Sequence, residues 1–282
     1  LIGEKIDIPA PDVNNNGKIM SWMVDAYENV VKKSAPGVFT GKPVEFGGSL
    51  ARTEATGYGV NFAAVQALEK LGKDVKGATY AIQGFGNVGY HTGYYAHQSG
   101  AKVVAVSTVD VAIYNENGLD MEALFKEFQE KGFITNEAGY GKEISNAELL
   151  ALDVDVLAPC ALENQLTSEN AGKVRAKIVV EGANGPTTPE ADAILRQNGV
   201  LVVPDILANC GGVVVSYFEW VQNLQGYYWE FDEVQEKETV VLRRAFRDIW
   251  NLAQEYDVDL RTASYMMSIR RVEKAMKLRG WY

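Results

Sequence analysis

The chain has 282 residues, of which 47% are hydrophobic and 23% are charged, and its formal net charge is −10 at pH 7. A chain of this length and apolar content can bury one large core or two modest ones, so a disordered chain is not expected. The negative charge argues against binding to nucleic acid or to an anionic membrane surface, because both require basic patches.

Helical periodicity comes first along the chain. Apolar residues recur at helical spacing from Lys18 to Lys33, and Pro and Gly then interrupt the pattern. A second helix is predicted from about Thr53 to Leu71, with Gly72 at its C-terminal cap.

Short apolar strands then alternate with helical stretches. Helices are predicted at about Asn87 to Gln98 and near Met121 to Lys131. The predicted strands, rich in Val and Ile, are Thr79 to Gln83, Val103 to Ser107, Asp155 to Pro159, Ile178 to Ala183 and Leu201 to Asp205. This alternation predicts an α/β fold, a Rossmann-type doubly wound and mostly parallel sheet with flanking helices at both ends.

The last part of the chain is predicted to be helical, with helices that begin near Gly211, Asp232 and Leu260. The charged side chains of the second of these helices are interpreted as a solvated face. The aromatic residues of the first are interpreted as core rather than as a stack for a cofactor; they are Tyr217, Phe218 and Trp220.

A glycine-rich turn follows the first predicted strand and opens a helix. The stretch fits the pattern G-x-G-x-x-G and comprises Gly84, Phe85, Gly86, Asn87, Val88 and Gly89. In a dinucleotide-binding turn the first glycine permits the tight turn, the second lets the backbone approach a pyrophosphate, and the third lets the helix pack on the strand. A glycine-rich turn can also be nothing more than a turn, but the strand–turn–helix context favours dinucleotide binding.

An acid that binds the adenosine ribose is expected roughly 20 residues further, at the end of the second strand. Ser107, Thr108, Val109 and Asp110 occupy this place, and Asp110 is the only carboxylate among them. No Arg or Lys follows nearby to accept a 2′-phosphate, so NAD is favoured over NADP, which stays possible. Asp110 could also be an ordinary loop residue.

The sequence offers few residues that could form a metal site or serve a nucleophilic catalytic site. The two cysteines lack metal-ligand spacing, and the chain has only two histidines, so no metal site is expected. The cysteines are interpreted as reduced thiols, and no signal peptide or membrane-length apolar run is evident, so a cytoplasmic protein is expected.

Several long stretches, in a fixed order, resemble a known family; they are DIPAPDVN, GKPVEFGGSLARTEATGYG, GFGNVG, EGANGPTTPEAD and PDILANCGGVVVSYFEWVQN. Through these stretches, from Asp7 to Tyr282, the chain resembles the glutamate dehydrogenases, within the Glu/Leu/Phe/Val amino-acid dehydrogenases. The resemblance implies the reversible oxidative deamination of an amino acid to a 2-oxo acid and ammonia, with hydride transfer to a nicotinamide.

The resemblance also implies roles for residues near the start of the chain. Asp12 matches the catalytic aspartate, which exchanges protons with the departing amine. Without the resemblance, Asp12 would be interpreted as a solvated turn residue. Arg52 and Thr56 match positions near the nicotinamide, where Thr56 can hydrogen-bond the carboxamide.

Other matched positions concern the cofactor and the substrate. Asn87 is expected at the pyrophosphate or ribose, and Asn184 and Asn209 at the nicotinamide ribose and the substrate, although asparagine beside glycine can simply make a turn. Ser216 matches the position that binds the γ-carboxylate, and Val213 lines the same pocket. A serine there favours L-glutamate (with 2-oxoglutarate as product) over a branched-chain or aromatic amino acid, since a buried hydroxyl needs a polar partner.

The family's glycine-rich stretch with the catalytic lysine, which precedes the Pro-Ala-Pro-Asp segment, has no match among these residues. The expectation is therefore a dinucleotide-binding part with weak or no turnover alone, whose partners are an upstream substrate domain and, in the family, a homo-oligomer. The expected division is a substrate-domain remnant at 1–46, a Rossmann domain at 47–259 and a returning C-terminal helix at 260–282. Alternatives are a free-standing NAD-binding module, or a branched-chain or phenylalanine dehydrogenase.

Overall fold

The computed structural model describes residues 1–12 and 15–281. Val13 and Asn14 of the DIPAPDVN stretch, and Tyr282, lie outside the described residues. The chain forms two compact units, one built from Leu1–Thr56 and Gly211–Val241 and the other from Gly57–Cys210 and Leu242–Tyr282. The domain boundaries expected from the sequence stay a prediction.

Helices and strands alternate through most of the described chain. The α-helices are α1 (Gly17–Val31), α2 (Ala55–Lys70), α3 (Asn87–Gln98), α4 (Met121–Lys131), α5 (Asn146–Leu150), α6 (Pro189–Gln197), α7 (Asp205–Ala208), α8 (Gly211–Gln225), α9 (Phe231–Tyr256) and α10 (Leu260–Leu278). The strands are β1 (Thr79–Gln83), β2 (Lys102–Ser107), β3 (Ala112–Tyr114), β4 (Lys142–Ile144), β5 (Val156–Pro159), β6 (Ile178–Val180) and β7 (Leu201–Val203). Short 3₁₀ turns lie at Pro36–Val38, Val44–Phe46 and Ala171–Lys173.

Side chains at the helix starts explain several of these boundaries. Asn16 accepts a hydrogen bond from the Ile19 N–H at the start of α1, and Asp259 accepts one from the Thr262 N–H at the start of α10. Ser145 forms a reciprocal capping box with Glu148 at the start of α5. Each cap satisfies backbone N–H groups that the helix itself leaves without acceptors.

The second unit contains a seven-stranded sheet in the order β4-β3-β2-β1-β5-β6-β7. The strands β2, β1, β5, β6 and β7 are parallel, whereas β3 and β4 pair antiparallel at one edge. The order reverses at β1, because β2 lies on one side of it and β5 on the other. Helices flank this sheet, so the predicted doubly wound, mostly parallel fold is confirmed.

Successive side chains of β1 pack into different hydrophobic cores. Tyr80 and Ile82 belong to one buried apolar cluster of the second unit, and Ala81 belongs to another. All three side chains are fully buried. A parallel strand covered on both faces has this pattern, since successive side chains point to opposite faces of the sheet.

The first unit has its own small cores. In one, Val215 and Phe218 of α8 pack with Ala55 at the start of α2 and Val234 of α9. In another, Val24 of α1 belongs to a cluster with the segment that contains Ala35, Val38 and Phe39.

The structure differs from the predicted elements mainly in the short ones. The three-residue strands β3 and β4 and the helices α5, α6 and α7 were not predicted, because such segments are too short for a period to show. The strands β6 and β7 end at Val180 and Val203, before the predicted ends, because the polar Glu181 follows β6 directly and Pro204 caps the helix α7 that begins at Asp205. Among the described residues, no helix has the length and apolar character that crossing a membrane requires.

Candidate functional site

The turn after β1 requires glycine at two positions. Gly84 has a φ of +87°, and a Cβ there would lie 2.7 Å from the Ala161 Cα. A Cβ on Gly89 would collide with the carbonyl oxygen of Gly84. The helix α3 therefore packs on the turn more closely than any side chain allows.

Gly86 is different, because a Cβ there would meet no atom within 4 Å. Its φ of −80° is accessible to every residue, so neither packing nor backbone strain in the protein itself requires glycine. Gly86 is also the N-cap of α3, and no side chain caps that end. An open glycine at an uncapped helix N-terminus fits close approach by a pyrophosphate.

The side chains of the turn point in different directions. Phe85 is 2% exposed, and its ring stacks on Phe125 and contacts Tyr90 edge-on. Only the backbone of Phe85 is thus available to a ligand. The cofactor contact predicted for this residue would therefore be made by its backbone, not by its ring. Asn87 is exposed and Val88 is half-buried.

The end of β2 is tied directly to the glycine turn. The Gly84 N–H donates to the Ser107 Oγ at 3.3 Å, and Ser107 is buried. The Thr108 Oγ1 accepts hydrogen bonds from the N–H groups of Asp110 and Val111. These bonds close a small turn from which Asp110 is exposed, and its contact with a ribose stays a prediction.

Two of the predicted asparagines meet where β6 and β7 end. The Asn209 Nδ2 donates to the Asn184 Oδ1 at 2.7 Å and to the Gly182 carbonyl oxygen at 3.3 Å. Gly185, next to Asn184, has a φ of +56°, as a tight turn requires. The glycine turn and both asparagines thus follow the carboxyl ends of parallel strands, which is where open α/β sheets bind ligands.

In the first unit, two residues that were assigned different roles lie together. The Arg52 Nε donates to the Ser216 Oγ at 2.8 Å, and Ser216 is 7% exposed. Burial lowers the pKa of Arg52, although the carboxylates of Glu219 and Glu238 partly offset this effect. Ser216 can still donate its own proton, so the pair offers a cation and a hydroxyl to a carboxylate.

Thr56 lies four residues after Arg52 in the chain, and Val213 lies three residues before Ser216. A Cβ on Gly212 would collide with the Thr56 Oγ1, so α8 needs a glycine where it packs on Thr56. Val213 is 67% exposed, which is consistent with a pocket wall but does not by itself identify one.

Asp12 is exposed, but the segment that carries it is anchored. The Asp12 N–H donates to the Asn15 Oδ1 at 2.7 Å, and the Thr40 N–H donates to the Pro9 carbonyl oxygen at 3.1 Å. Pro11 packs so closely on Gly41 that a side chain there would overlap its ring. Asp12 therefore extends from an ordered part of the first unit, with its carboxylate open to solvent.

Sequence reasoning missed a buried ion pair in the first unit. The Lys42 Nζ donates to Glu219 at 2.6 Å, to the Asn223 Oδ1 and to the Phe39 carbonyl oxygen, and both charged side chains have 0% exposure. Glu219 also accepts from the N–H groups of Gly41 and Lys42. This pair connects the loop before Gly48 to α8, the helix that carries Ser216.

The interpretation of the charges of α9 as a solvated face was wrong for Glu238, which is 1% exposed. Glu238 follows Val234 by four residues and therefore lies on the same buried face of the helix. Burial and the charge of Glu54 raise the pKa of Glu238 to about 9, against the opposing effect of Arg52. Among residues 1–12 and 15–281, the Glu238 Oε1 finds no hydrogen-bond partner.

The aromatic residues of α8 divide between core and surface. Phe218 is buried, as predicted. Tyr217 is 58% exposed, so its assignment to the core was wrong. Trp220 is half-buried, and its Nε1–H donates to the Glu4 carbonyl oxygen.

Neither cysteine forms a disulfide. Burial raises the pKa of the Cys160 thiol to about 12, so this side chain is inert at neutral pH. Within residues 1–12 and 15–281, no three His, Cys, Asp or Glu side chains are grouped as a metal site requires.

Comparison with known proteins identifies the family. A model of the Glutamate/Leucine/Phenylalanine/Valine dehydrogenase family matches residues 47–280. The NAD-specific glutamate dehydrogenase of Clostridioides difficile is 55% identical to this chain, and the match covers 100% of this chain and 68% of that protein. The glutamate dehydrogenase of Thermotoga maritima is 51% identical, with the same coverage.

Solved structures give the same result. The glutamate dehydrogenase of Peptoniphilus asaccharolyticus is 44% identical with a TM-score of 0.87, and the match covers 100% of this chain and 67% of that one. The hetero-hexameric glutamate dehydrogenase of Thermus thermophilus, in a leucine-bound form, is 35% identical with a TM-score of 0.93 and the same coverage. The chain thus spans about two thirds of the length of these relatives, and it belongs to the Glu/Leu/Phe/Val dehydrogenase family.

Proposed function

We propose that the chain binds NAD and takes part in the reversible oxidative deamination of L-glutamate to 2-oxoglutarate and ammonia. The observation that carries the proposal is the turn from Gly84 to Gly89, with its open Gly86, at the point where the strand order reverses. Membership of the family supports the reaction class, and the name of the Clostridioides difficile relative supports glutamate and NAD.

The preference for NAD over NADP rests on Asp110. Its exposed carboxylate follows β2, where it can accept hydrogen bonds from the ribose hydroxyls. The same carboxylate would repel a 2′-phosphate, and the segment from Ser107 to Asp110 contains no Arg or Lys. NADP therefore stays the weaker candidate.

The preference for glutamate rests on Arg52 and Ser216. A guanidinium and a hydroxyl held 2.8 Å apart are suited to a substrate carboxylate, whereas an aliphatic or aromatic side chain could accept no hydrogen bond from their remaining N–H and O–H groups. A branched-chain or phenylalanine dehydrogenase is therefore the weaker alternative within the family.

NAD, when bound, accepts the hydride from the substrate Cα. We assign the pyrophosphate to the backbone of the glycine turn, and the nicotinamide ribose to Asn184 and Asn209. Asp12 carries an exposed carboxylate on an anchored segment, and we assign it the proton exchange with the amine.

Initial rates of NADH formation from NAD with glutamate, leucine or phenylalanine test the substrate assignment. We expect glutamate to give the highest rate. Ser216→Val should lower kcat/KM for glutamate roughly 10- to 100-fold, the effect of losing one hydrogen bond to a charged group. Faster turnover of leucine or phenylalanine by the unaltered chain would contradict the choice of glutamate.

The rate of NADH formation by the 282 residues, alone and with an added upstream domain, distinguishes an enzyme from an NAD-binding module. We expect weak turnover alone, since the positioned lysine that the family resemblance implies has no match here and pre-positioned charge contributes strongly to rate. Restoration of the rate by an added upstream domain, in a homo-oligomer, would support the enzyme. NADH binding with no turnover under either condition would favour an NAD-binding module.

A further inference from the structure

Arg261, in the first turn of α10, lies at the centre of a cluster of acids in the second unit. Its Nη2 donates to the Glu181 Oε1 at 2.6 Å and its Nη1 to the Asp205 Oδ1 at 3.3 Å. Its Nε also donates to Asp192 of α6. The Arg261 side chain is 21% exposed, and that of Glu181 is fully buried.

Two of these acids hold the loops that carry the paired asparagines. The Glu181 Oε2 accepts from the Asp205 N–H at 2.7 Å, and the Asp205 Oδ2 accepts from the Gly185 N–H at 2.8 Å. Gly185 follows Asn184 in the chain, and the Asn209 N–H donates to the Asp205 carbonyl oxygen. Asp205 is therefore connected to both asparagines through single hydrogen bonds and peptide links.

The charges explain why this arrangement needs the arginine. Without a cation, the carboxylates of Glu181, Asp192 and Asp205 would repel one another, and burial already raises the pKa of Glu181 against the opposing effect of Arg261. The guanidinium binds all three through separate N–H groups, which a lysine ammonium cannot do in the same fixed geometry.

We propose that Arg261 is a positioning residue for the nicotinamide side of the dinucleotide, and that it acts through Asp205 on the Asn184–Asn209 pair. The inference deepens the proposed function and rests on it, because the two asparagines are assigned there to the nicotinamide ribose. Arg261 itself does not contact the asparagines; its guanidinium bonds go to the acids that hold their loops.

The test compares dissociation constants for NADH and for ADP, which lacks both the nicotinamide and its ribose. We expect Arg261→Gln to weaken NADH binding about tenfold or more and ADP binding less than about twofold. Arg196→Gln is the matched control, since Arg196 forms an exposed ion pair with Asp259 and touches neither Glu181 nor Asp205. It should change neither constant. Equal weakening of both ligands by Arg261→Gln would show a general loss of structure and overturn the proposal.

A double-mutant cycle keeps the test decisive if Arg261→Gln does not fold. Arg261→Lys keeps the positive charge, and we expect it to weaken NADH selectively in the wild-type background and to have no further effect with Asn209→Ala. If the two substitutions raise the dissociation constant for NADH independently, their effects will multiply in the double variant, and that result would overturn the proposal.

The wild-type chain separates failure of this inference from failure of the proposed function. If it binds NADH no more tightly than ADP, the asparagine pair contributes nothing and the inference falls, while the dinucleotide site stands. If it binds neither ligand, the proposed function falls and this inference with it.

Discussion

Glu238 is an acidic residue of α9 whose burial the sequence did not lead us to predict. It is 1% exposed and shares a helix face with Val234 and Val241, yet its neighbours on α9 make the helix look charged throughout. The spacing of the two valines could have indicated that Glu238 is buried, because residues four before and three after a position lie on the same face of a helix. Burial and the charge of Glu54 raise the pKa of Glu238 while Arg52 lowers it, and no local pattern connects Glu54 or Arg52 to Glu238.

The pKa of Glu238 predicts a pH-dependent stability. In the folded chain its pKa is about 9, well above the value for an unfolded glutamate, so the folded state retains a proton that the unfolded state releases. The free energy of unfolding should therefore fall as the pH rises from about 5 to 9, by at most about 1.4 kcal/mol per pH unit from this group. Urea unfolding of the wild-type chain and Glu238→Gln across this range measures the difference.

Glu236→Gln is the control for this prediction, because Glu236 is an exposed residue of the same helix. Its pH profile should match that of the wild-type chain. Parallel profiles for the wild-type chain and Glu238→Gln would contradict the raised pKa.

At the scale of elements, the Lys42–Glu219 pair connects a loop to α8. Both side chains are fully buried, and each forms three hydrogen bonds. Burial lowers the pKa of Lys42, and the negative charge of Glu219 opposes this shift. The removal of one partner would leave the other charge buried and uncompensated.

Glu219→Ala should therefore destabilise the chain by about 3–5 kcal/mol. The double variant Lys42→Met/Glu219→Leu should be less destabilised than Glu219→Ala, since it leaves no buried charge. Urea unfolding measures both. Glu273→Ala, which breaks an exposed pair on α10, is the control and should cost less than about 1 kcal/mol. A comparable loss from Glu219→Ala and Glu273→Ala would contradict the importance of the buried pair.

Sequence reasoning predicted the elements with a clear period and missed those without one. The strand β1 and the helices α3 and α4 were predicted with their observed bounds. The strands β3 and β4 have three residues each, too few for alternation to show. In the same way, the glycine turn was predictable because its spacing is local, whereas the Arg52–Ser216 bond joins residues 164 positions apart.

Across the whole chain, the helices α1 and α10 carry exposed apolar side chains. Exposed apolar side chains lie on α10 at Ile269, Val272 and Leu278, and on α1 at Trp22 and Val30. Both helices lie in the segments that the sequence predicts to be a substrate-domain remnant and a returning C-terminal helix, and their apolar side chains are suited to packing against an upstream substrate domain. That packing stays a prediction.

A fluorescence titration with NADH tests whether the backbone around Gly86 receives a dinucleotide pyrophosphate. Gly86→Val should fold normally, because a Cβ there would meet no atom of the described residues within 4 Å beyond its chain neighbours, but it should abolish saturable NADH binding. Gly172→Val is the control, since Gly172 is equally open and lies in another turn. We expect the wild-type chain and Gly172→Val to bind NADH, and more tightly than NADPH, and we expect no binding by Gly86→Val. Equal NADH binding by all three chains would overturn the assignment of the pyrophosphate to this turn.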